Sequence, residues 1–86
     1  MPTLSRFFGI VIKMHWNDHP PAHFHACYGE HEAVIRLDTL ETEVGWLPRR
    51  ALGLVLEWAA EHRAELWENW NRMQNRQATQ PIAPLE

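Results

Sequence analysis

Four histidines, His15, His19, His23 and His25, fall within eleven residues, in the stretch His15-Trp16-Asn17-Asp18-His19-Pro20-Pro21-Ala22-His23-Phe24-His25. Imidazole titrates near neutral pH and ligates borderline transition metals, so such a cluster points to proton transfer or metal binding. Residues 23–28 alternate: Phe24, Ala26 and Tyr28 take one side, and His23, His25 and Cys27 share the other.

Three chemistries could use that face. Two His at i,i+2 on a strand, with a third from the loop (His19 or His15), resemble the three-ligand pattern of an open zinc site. Asp18 would orient a ligand imidazole. Alternatively, His23 and His25 would act as base and acid in phosphodiester cleavage, with Arg36 neutralising developing charge and Glu32 nearby. Thirdly, Cys27 would act as nucleophile with His25 as base, although i,i+2 neighbours lie roughly 6–7 Å apart, which is long for that hydrogen bond. Against all three stands a structural role, in which the imidazoles bond the Pro-Pro loop and Asp18 makes an Asx-type turn.

The elements that must position these groups are legible in outline. Arg6 to Trp16 alternates and reads as one half-buried strand. Pro20 and Pro21 interrupt it. Gly29-Glu30 is a two-residue hairpin turn, which pairs Tyr28 with His31, Cys27 with Glu32, His25 with Val34 and His23 with Arg36. His31 to Asp38 is the third strand, and Thr42 to Trp46 is a short fourth. Pro48 suits a first helical position. From there to about Asn75, Ala51, Val55, Trp58, His62, Leu66 and Trp70 form one apolar stripe at three- and four-residue spacing. Glu57, Glu61, Glu65 and Glu68 line a solvated side, with Glu68 and Arg72 spaced as an i,i+4 pair. The expectation is therefore an α+β fold: a three- to four-stranded antiparallel meander with one long C-terminal helix on one face. Residues 1–76 form a single domain, and residues 77–86 form an extended tail whose Ile82 and Leu85 dock on the body or on a partner.

Composition bounds the function. With 8 Lys+Arg against 11 Asp+Glu, the 86-residue chain carries a net charge of −3, which disfavours broad nonspecific binding to nucleic acid while leaving a local contact open. One cysteine excludes an intrachain disulfide. The start lacks a basic stretch before an apolar core, and no apolar run approaches the ~20 residues of a bilayer span, so a cytoplasmic protein is expected. Five tryptophans exceed what a core this small demands, which suggests a homodimer or a small protein partner.

Several segments together resemble a known family: Pro2 to Phe7, Gly9 to Ile12, Asn17-Asp18-His19 with Pro21 to His25, Tyr28-Gly29-Glu30, Ala33 to Ile35, Leu47-Pro48 with Arg50 to Leu52, Val55 to Trp58, His62-Arg63, Leu66 to Trp70, and Ile82 to Glu86. The chain is similar to the small bacterial "domain of unknown function 4160". The resemblance implies a functional core at Asn17, Asp18, His19, His23 and His25, and a toxin–antitoxin-like or regulatory module working with a neighbouring small protein. Cys27 and His15 are not hallmarks of that family, and here Ala22 separates the prolines from His-Phe-His.

Overall fold

The computed structural model describes residues 2–16 and 18–86. Its strands are β1 (Thr3–Phe7), β2 (Ile10–Lys13), β3 (His23–Tyr28), β4 (His31–Arg36) and β5 (Thr42–Gly45), and its helices are α1 (Arg49–Glu61) and α2 (Arg63–Gln74). The strands form one antiparallel meander in the order β1-β2-β3-β4-β5. The α+β class stands, and two details differ from expectation.

The first difference is a fifth strand. The segment read as a single strand from Arg6 to Trp16 holds the end of β1, a turn and β2, so it folds back on itself as a hairpin with Phe7 opposite Ile10. Phe8 and Gly9 form its two-residue turn, both with positive φ (49° and 81°), as a type I′ connection requires. Phe8 therefore sits 61% exposed at the tip instead of joining Ile10, Ile12 and Met14 in the core. Trp16 also faces out.

The second difference is that the long helix is two helices. His62 separates α1 from α2, with φ −119° and ψ 27°. Its N–H bonds the carbonyls of Trp58 and Ala59, and its own carbonyl accepts from Leu66 N–H. Its Nδ1 lies 2.6 Å from Glu65 Oε1, a local side-chain contact that the apolar stripe did not signal. Pro48 is the N-cap, one residue before the helix, rather than its first helical residue.

The core lies between the inner sheet face and the helices. Ile12, Phe24, Ala26, Ala33 and Ile35 are fully buried beneath Val55, Trp58, Ala59 and Leu66. Trp58 is the centre, with its ring 5.4 Å from Phe7 and 6.1 Å from Phe24. Residues 77–86 are extended and return to the body. Ile82 and Leu85 are buried there. Ile82 N–H donates to Leu4 O at 2.8 Å, and Trp58 Nε1–H donates to Ala83 O at 2.8 Å. The Asn69 amide, itself buried, bonds both the N–H and the carbonyl of Gln80. At the opposite edge, Gly45 has φ +83° and packs its Cα so closely on Glu32 O that no Cβ would fit.

Candidate functional site

Three adjacent strands build the histidine face. The β3–β4 register pairs His23 with Arg36, His25 with Val34, and Cys27 with Glu32, as the Gly29-Glu30 turn predicts. On the other side Lys13 lies opposite His25 and Val11 opposite Cys27. Because Phe24 and Ala26 are locked into the core, His23 and His25 are forced outward, and both are only partly exposed.

The two imidazoles converge on Asp18 from the loop. His23 Nε2 is 3.0 Å and His25 Nε2 is 3.3 Å from the same oxygen, Asp18 Oδ2. Their other nitrogens are also occupied. His23 Nδ1–H donates to Pro21 O at 2.8 Å, and His25 Nδ1 lies 2.9 Å from Glu32 Oε2. A neutral imidazole carries one N–H, yet all four ring nitrogens here face acceptors. If the carbonyl and Glu32 take the two available protons, both Nε2 lone pairs point at a carboxylate oxygen. That arrangement repels unless a cation or extra protons lie between them. One atom each from Asp18, His23 and His25 lies within 4.8 Å of the other two, close enough for one ion. A backbone carbonyl and a carboxylate behind the ligand imidazoles are the usual outer partners of metal-bound histidine.

The helices reach this site too. Trp70 of α2 packs its ring 5.3 Å from His23, and Gln74 Nε2–H donates to Asp18 O at 3.4 Å. Neither residue was expected at the site, since the apolar stripe marked Trp70 only as core.

The expected site residues divide as follows. His23, His25 and Glu32 are brought together, and the loop residue that meets the imidazoles is Asp18 and not His19, which is exposed and belongs to neither three-donor group among the described residues. Loop geometry decides this, because Asp18 is held under Gln74 and between both rings. Asn17 lies outside the described residues. Arg36 lies opposite His23 in register, but its guanidinium is bonded bidentately to Asp38, at 2.9 and 2.6 Å, so it is not aimed at the imidazoles. That bond holds the Asp38 carboxyl below its usual range. The Cys27 thiol is pushed up by burial, with Glu32 adding to the effect, opposite to what a nucleophilic thiolate needs. His15 lies against His25 with ring centroids 3.8 Å apart and the rings tilted by 49°, and its Nε2 is buried without a hydrogen-bond partner among the described residues. Burial, and then His25, lowers the His15 pKa below its ordinary value. No described helix is long and apolar enough to cross a membrane.

No curated protein and no solved structure matches the chain. A family model does match, over residues 9–71, a span that holds Asp18, His23, His25 and Glu32 together with β2 to β5, α1 and most of α2. The chain thus belongs to the family described as "Domain of unknown function (DUF4160)".

Proposed function

We propose that Asp18, His23 and His25 hold a divalent transition-metal ion and that the centre serves metal-assisted hydrolysis. The observation that carries this reading is the approach of both Nε2 atoms to Asp18 Oδ2 while both Nδ1 atoms are held from behind. Two imidazoles and a carboxylate suit zinc and its neighbours in the transition series, and three protein ligands leave a coordination position open. An ion held in this way supplies Lewis acidity and lowers the pKa of water. The protein's part is orientation: Pro21 O and Glu32 fix the imidazole tautomers, Trp70 packs against His23, and Gln74 secures Asp18. Zinc is the first ion to try, and a phosphodiester such as RNA is the first substrate.

The test is calorimetric titration of chelator-stripped, tag-free protein with zinc, nickel and manganese, followed by assay on an activated phosphodiester. Micromolar or tighter binding is expected, lost in the His23→Ala/His25→Ala double variant. No binding by the wild type, with the variant normally folded, removes the reading.

A second reading is a regulatory, toxin–antitoxin-like module that acts with a small protein partner. It is favoured by Val44 and Trp46, each 61% exposed at the β5 end of the sheet. Co-expression with the neighbouring small protein tests it, since a stable complex that Val44→Lys disrupts is expected and separate elution counts against it.

A further inference from the structure

His25 has two sides, and only its Nε2 side is used above. On the Nδ1 side, one donor atom each from His15, His25 and Glu32 lies within 4.8 Å of the other two. His15 follows the end of β2 by two residues, His25 lies on β3 and Glu32 on β4, so the donors come from two adjacent strands and the segment that leaves the third. The His15 ring lies against that of His25, and His15 Nε2 is buried with no hydrogen-bond partner among the described residues. A buried polar nitrogen left unpaired loses its hydration with nothing in return, and native structures rarely leave one so without a use.

We infer that His15, His25 and Glu32 form a second transition-metal site, which shares the His25 ring with the Asp18–His23–His25 site. This rests on the reading of the first site. The His25 imidazole then lies between two ions, with Nε2 toward one and Nδ1 toward the other. Occupation of the second site releases the Nδ1 proton to solvent and turns Glu32 from hydrogen-bond acceptor into ligand. Imidazole, carboxylate and a borderline divalent ion are compatible partners, so copper and zinc are the ions to expect. The shared ring couples the two sites, because each ion bound at one face withdraws electron density from the other.

Full-length protein stripped of metal is titrated with copper(II), with the bound equivalents counted by mass spectrometry and the spins by electron paramagnetic resonance. Two equivalents are expected, with a signal weaker than the copper content because ions joined by one ring couple magnetically. His15→Ala, which removes a side chain whose Nε2 bonds nothing else among the described residues, is expected to bind one equivalent with full signal. His15→Phe, which keeps a ring against His25 without a ligand nitrogen, provides the same test. One equivalent in the wild type, lost only on replacing His23, overturns the second site and leaves the first. Two equivalents in both wild type and His15→Ala, with full signal in each, also overturns it. No binding by the wild type overturns both sites.

Discussion

Two regions of the molecule treat polar groups in opposite ways. Where the tail meets the helices, donors and acceptors match: the Asn69 amide satisfies both backbone groups of Gln80, and the Trp58 indole N–H satisfies Ala83 O. At the histidine face they do not match, since four imidazole nitrogens face acceptors and His15 Nε2 has no partner among the described residues. Matched buried polar groups rigidify a fold, whereas a mismatched cluster is held together at a cost by the packing around it. The difference separates a region that fastens the fold from one poised to take up something from outside.

That contrast can be broken by experiment. The largest effect is expected from removing residues 77–86, which exposes the seats of Ile82 and Leu85 and strands Asn69 and Trp58. Burial of two aliphatic side chains alone contributes roughly 3–6 kcal/mol, a large part of a small domain's stability, so denaturant titration is expected to find the shortened chain largely unfolded. Next is ligand linkage. Zinc at a hundred times its dissociation constant is expected to stabilise the wild type by about 2.7 kcal/mol and the His23→Ala/His25→Ala variant not at all, read as a shift in melting temperature. Asn69→Ala is expected to destabilise by about 1–3 kcal/mol while leaving zinc affinity unchanged, because its contacts lie wholly in the tail clasp. If zinc affinity falls with it, the two regions are not separable. The smallest effect belongs to the exposed Arg36–Asp38 pair. Arg36→Met is expected to leave stability nearly unchanged and to raise the Asp38 pKa toward its ordinary value, followed by carbon-detected NMR titration. Because Asp38 is held below its unfolded value, whatever stability it lends is present above pH 3.8 and lost as pH falls through the lowered pKa.

The same contrast explains what could be read from the chain. The β3–β4 register was legible because Gly29, with φ 58°, leaves one short turn and one parity that buries Phe24, Ala26, Ala33 and Ile35 together. The β1–β2 turn was hidden because Phe8 adopts φ 49°, which a bulky residue rarely does, and the alternation runs through it unbroken. The break at His62 carries no glycine or proline to mark it. For the site, strand periodicity placed His23, His25 and Glu32 on one face. Which loop residue meets them, Asp18 and not His19, depends on tertiary contacts with α2 that no local spacing encodes. The same is true of Trp70, whose position in the apolar stripe is indistinguishable from any other core residue.

The bond from Ile82 to Leu4 spans almost the entire chain. A ribosome releases β1 well before the segment that seals it. Until residues 82–85 emerge, the nascent sheet lacks its clasp, and Trp58 and Asn69 wait without their partners. Closure of the sheet edge is therefore slow to arrive, governed by one contact of very long sequence separation.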